Sequence, residues 1–173
     1  IRLRFTTSHP QDLSLELIET IAKYDNLCNY IHLPVQSVSD RLLELLQRSY
    51  TIDHYMKIMN NIKKLIPDVS LSTDIITGFC TETEEDHKMT LEVMKEVRYD
   101  GAYMFKYSPR EKTKAWKMED DVDEEIKTRR LVEIVELQRD ISEEKNRETV
   151  GKEYEVIIED ERKKSDKMLF GRT

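Results

Sequence analysis

His32-Leu33-Pro34-Val35-Gln36-Ser37-Val38-Ser39 is the stretch on which the reading of this chain turns. An extended, largely apolar run delivers polar groups at its far end and meets Ser39, a residue type that caps helices. That is how a strand gives way to a helix with hydrogen-bonding side chains left at the turn. His32 and Gln36 are four apart, so on a strand both lie on one face. Two further stretches repeat the pattern. Thr6-Thr7-Ser8-His9-Pro10 closes an opening strand from Leu3 to Thr6, and Ser72-Thr73-Asp74-Ile75-Ile76-Thr77-Gly78-Phe79 closes a strand from Val69 to Ile76.

Between these strands the periodicity becomes helical. Leu13, Leu17, Ile18 and Ile21 follow the possible cap Asp12, Ser39 precedes Leu42, Leu43, Leu45 and Leu46, and Thr51 opens a longer helix that Pro67 stops. Thr83 with Asp86 has the spacing of a capping box for a helix through Met89, Val93, Met94 and Val97. Ala102 to Tyr107 reads as a fourth strand. An irregular, charge-rich connection then leads to one long helix from Glu124 to Asn146, with Trp116 expected to dock that helix on the sheet. Alternating Tyr154, Val156 and Ile158 and the later Leu169-Phe170 suggest strands of a separate small β unit. Alternation of strand and helix implies a parallel α/β sheet, open or barrel-like.

The composition restricts function as well as fold. Charged residues make up 36% of the 173 residues and no apolar run approaches the ~18 residues of a membrane span, so a soluble protein without membrane partners is expected. Two cysteines, Cys28 and Cys80, are too far apart for a zinc knuckle or a disulfide framework and fit a reducing compartment. A net charge of −7 argues against a general phosphate-binding surface, so any nucleic-acid contact must be local. The basic concentration visible in sequence is Arg162, Lys163, Lys164, Lys167 and Arg172. The chain opens on Ile1-Arg2-Leu3-Arg4-Phe5, without an initiator Met, and is expected to start inside a longer protein.

Parallel βα architectures bind ligands at the carboxyl ends of their strands. That rule selects His9, Gln36, Asp74, Gly78 and the segment Tyr107 to Arg110. His32 and Gln36 are either an interior polar pair or contacts to a cofactor. Asp74, in an otherwise apolar strand, needs a partner, which is either a ligand or a neighbouring strand. Gly78-Phe79 offers a tight turn and an aromatic edge beside an adenine. Arg110 suits a phosphate or carboxylate, or else a surface ion pair. His9, His54 and His87 are not spaced as metal ligands.

Taken together, Ser8-His9-Pro10, His32 to Ser37, Ser72 to Phe79 with Glu82 to Glu85, and Tyr107-Ser108-Pro109-Arg110 resemble, in order, motifs of the radical S-adenosylmethionine (SAM) methylthiotransferases. The likeness is greatest to the branch that 2-methylthiolates isopentenylated adenosine beside the tRNA anticodon. A sister branch acting on a ribosomal-protein aspartate usually differs at His32 to Gln36. A non-catalytic RNA-binding or scaffold module is the alternative from another class. The resemblance implies the C-terminal part of a (βα) radical SAM barrel over residues 1–112, a connecting segment and flanking helix over 113–148, and the first strands of a TRAM β-barrel over 149–173. It further implies SAM held by His32, Gln36, Asp74, Gly78 and Phe79, and RNA contacted by His9, Arg110, Lys163, Lys164 and Lys167. Two 4Fe-4S clusters belong to the family, one of which cleaves SAM to a 5′-deoxyadenosyl radical; their ligands are expected upstream of Ile1, so this stretch alone is expected to be inactive. A flavodoxin or ferredoxin would supply electrons, in a bacterial cytoplasm or, for a eukaryotic protein, a mitochondrion. The chain departs from the family at Val38, where Gly is common, and at Cys80-Thr81 and Glu111-Lys112, where Pro-Gly is common.

Overall fold

The structure is a computed structural model that describes residues 2–5, 9–161 and 169–172. Three parallel strands, β1 (Tyr30–His32), β2 (Ser70–Thr77) and β3 (Gly101–Lys106), form a sheet in the order β1-β2-β3. Leu3 makes an isolated parallel bridge to Leu27, outside the named strands, so the described part of the expected opening strand, residues 3–5, pairs at a single point. Helices α1 (Leu15–Lys23), α2 (Asp40–Leu45), α3 (Ile52–Leu65), α4 (Glu84–Val97) and α5 (Glu124–Glu148) connect and flank the strands. Beyond them β4 (Ile157–Glu161) and β5 (Leu169–Arg172) pair antiparallel as a separate hairpin.

The deciding stretch behaves as a strand for less of its length than its sequence suggests. Pro34 has no N–H to give to a ladder, so β1 stops at His32. The hydroxyl of Thr73 fills the gap: it accepts from Val35 N at 3.0 Å and donates to Leu33 O at 2.9 Å. Pairing resumes at Gln36, whose N donates to Asp74 O and whose O accepts from Ile76 N. Gln36 makes that return with φ of 59°, a left-handed conformation unusual for a non-glycine residue.

Alternation then sorts the side chains. Ile31, Leu33, Leu71, Thr73 and Ile75 face the helices and are buried with Ile18, Ile21, Ile58, Met59, Ile62, Met94 and Ile134. Within that core the Tyr55 hydroxyl donates to Leu33 O and lies 2.9 Å from the Tyr99 hydroxyl, so both phenols are satisfied. Val38 is also core, which accounts for an apolar residue there.

Helix starts follow local chemistry. Ser14, rather than Asp12, caps α1, its Oγ accepting from Leu17 N; Thr51 caps α3; Thr83 and Asp86 form the expected capping box. Burial tends to raise the Asp86 carboxyl, but hydrogen bonds from Ser39, Thr83 and Arg41 outweigh it and hold the group below the usual carboxylate range.

Trp116 is 50% exposed on a short 3-10 turn (Ala115–Lys117), so it is not a buried anchor for α5. Buried polar residues of α5 itself do so. Arg130 Nη1 donates to Glu82 Oε1 at 2.8 Å and to Glu82 O at 3.1 Å, and Gln138 Nε2 donates to Tyr99 O at 2.8 Å. Lys127, 1% exposed, lays its stem across Gly78, where an added Cβ would sit 2.3 Å from Lys127 Cγ. Its ammonium reaches Asp120 at 2.6 Å and Glu124 at 3.2 Å, and these bonds outweigh burial to hold its pKa above the ordinary lysine value.

Two expectations follow. Arg130→Ala leaves the buried Glu82 carboxyl without its cation, so chemical denaturation should show a loss of about 3–5 kcal/mol; a loss under about 1 kcal/mol would mean the pair does not hold α5. Glu84 is held down to about 2, chiefly by hydrogen bonds from Arg129, with burial opposing and Arg130 adding. A depressed carboxylate stabilises the fold above its unfolded value and loses that contribution as pH falls through its folded one. Glu84→Gln should therefore lower Tm at neutral pH, and the difference from wild type should close between about pH 5 and about pH 2.

Candidate functional site

The sheet face opposite the helices carries the site. Register aligns His32 with Ser72, Asp74 with Tyr103 and Ile76 with Phe105, so these residues share that face. Tyr103 and Phe105 are 59% and 54% exposed there, and the His32 ring meets Tyr103 edge-on at 5.8 Å. A hydrogen-bonded row crosses the face: the Tyr30 hydroxyl lies 2.7 Å from Ser72 Oγ, which lies 2.8 Å from His32 Nδ1, while His32 Nε2 is 3.4 Å from Asp74 Oδ1.

At the carboxyl ends of β2 and β3 the face opens into a cleft of about 760 Å³. Gln36 and Asp74 form one wall, and Ile76, Phe79, Phe105 and Tyr107 supply an apolar floor. Gln36 is fixed by Arg48, whose Nε donates to its Oε1 at 3.1 Å. Phe79 is buried and stands edge-on to Tyr107 at 4.8 Å, so only part of it reaches the cleft. Burial, with a hydrogen bond to Cys80 next, pushes the Tyr107 phenol up to about 12, leaving it a protonated donor at neutral pH.

The structure brings Gln36, Asp74, Phe79 and Arg110 to this cleft. His32 Nε2 lies 3.4 Å from Asp74 Oδ1, which gives Asp74 a neighbour on the adjacent strand, and Asp74 also lines the cleft. Gly78 is not among the lining residues; it is packed under Lys127, and its N donates to Glu82 Oε1 at 2.9 Å. His9 does not line the cleft either; it packs edge-on against Tyr50 at 5.4 Å, and its Nδ1 accepts from Gln11 N. Lys163, Lys164 and Lys167 lie outside the described residues. Arg48, Lys112 and Lys114 also line the cleft. In sequence Arg48 is a helix-end cation and the two lysines sit in an irregular charged run, so only the fold gathers them.

A rim built from parallel βα units with its polar groups at the strand ends defines a class. The radical SAM superfamily model matches residues 1–94, and the chain belongs to that superfamily. Its relatives include the tRNA-2-methylthio-N(6)-dimethylallyladenosine synthases of Bacteroides thetaiotaomicron, 52% identical over 100% of this chain and 38% of that protein, and of Christiangramia forsetii, 53% identical over 99% and 36%. The chain thus spans well under half the length of these relatives. Coproporphyrinogen III oxidase of Escherichia coli, a radical SAM enzyme, shares the fold with a TM-score of 0.63 at 20% identity, over 77% of this chain and 31% of that one.

The superfamily implies SAM and iron–sulfur chemistry, and the two groups fit the described residues differently. For SAM the cleft offers an acceptor in Asp74, an amide in Gln36 and an apolar floor, a donor and acceptor set that matches a zwitterionic nucleoside. For a cluster the match fails, since among the described residues no three His, Cys, Asp or Glu side chains are placed to hold a metal ion. Cys80 is buried against Phe79 and Leu42, away from Cys28 in sequence. No helix among the described residues is long and apolar enough to cross a membrane.

Proposed function

We propose that this chain is part of a tRNA methylthiotransferase that adds a methylthio group to C2 of isopentenylated adenosine next to the anticodon. The observation that carries the reading is identity of about 52% along the whole chain to enzymes named for that product, in a stretch that includes every motif at the cleft. Residues 1–112 would form the C-terminal part of the barrel, 113–148 the connecting segment and flanking helix, and 149–173 the start of a TRAM domain in which Lys163, Lys164 and Lys167 add phosphate contacts. Two 4Fe-4S clusters would be held by other parts of the full-length protein, with a flavodoxin or ferredoxin as electron donor, in the cytoplasm of a bacterium.

SAM, when bound, supplies the methyl group and the carbon–sulfur bond whose cleavage starts the chemistry. The chain's own residues bind and orient it. Asp74, held from behind by His32, accepts a hydrogen bond from a ligand hydroxyl or ammonium, and ionised acceptors make the stronger bonds. Gln36, fixed by Arg48, offers its amide nitrogen as a donor. Tyr107, with the part of Phe79 that reaches the cleft, would give the nucleoside an apolar floor.

In full-length protein, Gln36→Ala and Asp74→Ala should each weaken SAM binding by about tenfold or more in calorimetry, with Tm unchanged, since a charged hydrogen bond contributes about 1.5–3 kcal/mol. Wild-type affinity in both variants would return the two residues to a filling role. For the reaction, nucleoside mass spectrometry of tRNA from a strain lacking the gene should show the isopentenyladenosine without its 2-methylthio group, restored by the full-length gene. A tRNA profile identical to the parent strain would overturn the assignment.

A further inference from the structure

The loop after β3 is the feature that the cofactor reading leaves unused. The cleft is lined by five cations, Arg48, Lys106, Arg110, Lys112 and Lys114, against a single carboxylate, Asp74, in a chain whose net charge is −7. Two of the five are committed: Arg48 holds Gln36, and Lys106 reaches Glu124 at 2.9 Å. Arg110, Lys112 and Lys114 alternate along the loop, are exposed, and make no ion pair among the described residues. Glu111 stands between Arg110 and Lys112, so this stretch carries three cations against one carboxylate, an excess of positive charge that no ion pair among the described residues takes up.

The loop has a fold of its own that holds them at the mouth. Thr113 Oγ1 donates to Arg110 O at 2.7 Å and accepts from Trp116 N at 3.2 Å, Tyr107 donates to Ala115 O at 3.4 Å, and Lys112 turns the chain with φ of 68°. Immediately beyond stands Trp116, the chain's one tryptophan, half exposed. Cations interleaved with a free aromatic face suit a single-stranded nucleic acid, whose phosphates take the charges and whose unstacked bases take the ring.

We propose that Arg110 to Trp116 form an arm that grips the single-stranded loop of the RNA substrate. Arg110, Lys112 and Lys114 take backbone phosphates beside the nucleotide presented to the cleft, and Trp116 stacks on an unpaired neighbouring base. This rests on the reading of the substrate as tRNA. It adds phosphate contacts at the cleft mouth to those of the basic tail and gives Lys112, a departure from the family, a role.

The test is fluorescence anisotropy of full-length protein with an anticodon stem-loop RNA across a salt series. The triple variant Arg110→Gln/Lys112→Gln/Lys114→Gln should lower the slope of log affinity against log salt by about two units, since each single-strand phosphate contact contributes about 0.7. Charge reversal in Lys112→Glu/Lys114→Glu should lower it at least as far as loss of two contacts, which guards against a variant that misfolds. Trp116→Ala should cost about tenfold in affinity with the slope unchanged, and only for RNA that has the loop, because stacking is not electrostatic. Slopes identical to wild type in both charge variants would overturn the arm while wild type still binds and modifies tRNA. A wild type without salt-dependent tRNA binding would overturn both the arm and the substrate reading.

Discussion

Glu82 is the point on which the cleft depends. One of its carboxylate oxygens accepts from Gly78 N at 2.9 Å, from Thr77 Oγ1 at 3.4 Å and from Arg130 Nη1 at 2.8 Å. A single buried acceptor thereby ties the end of β2, the turn that follows it and helix α5. Ionic pairs taken out of water stabilise only when geometry is good and the remaining donors are matched. Here most are, though Arg130 Nε is buried without a partner among the described residues. The benefit lies in placement: the pair fixes where the β2 turn leaves the sheet, and so where Phe79 stands.

Lys127 adds a second constraint three residues earlier on α5. Its stem fills the space that Gly78 leaves by having no Cβ, and its ammonium lies 5.7 Å over the ring of Tyr107 while bound to Asp120 and Glu124. Gly78 at φ of 72° thus serves two needs, a left-handed turn and a seat for a lysine. Through Tyr107 the same contact reaches the floor of the cleft. Helix α5 is therefore part of what shapes the site, although none of its residues lines it.

Asp74 shows how the opposite face is kept polar without being unstable. A lone carboxylate in a strand would be costly. The row Tyr30, Ser72 and His32 provides neighbours on one side, and the cleft leaves the other side open to a ligand.

Sequence by itself determined the order of strands and helices, the Thr83/Asp86 capping box, the burial of the alternate faces and the superfamily, because periodicity, capping and motif order are local properties. Gln36, Asp74 and Arg110 were legible as rim residues for the same reason, that strand ends in parallel βα units converge, though the same rule also selected His9 and Gly78, which do not line the cleft. Tertiary structure alone decided that Thr73 bridges the gap Pro34 leaves after β1, and that Gly78 seats a lysine instead of facing the cleft. It also decided that Trp116 stays free while Arg130 and Gln138 dock α5. Each of those depends on a partner 38 or more residues away in the chain, and no spacing rule within one element can name it. The same holds for charge: an acidic chain acquires a basic cleft mouth only when the β3 loop and the end of α2 meet in space.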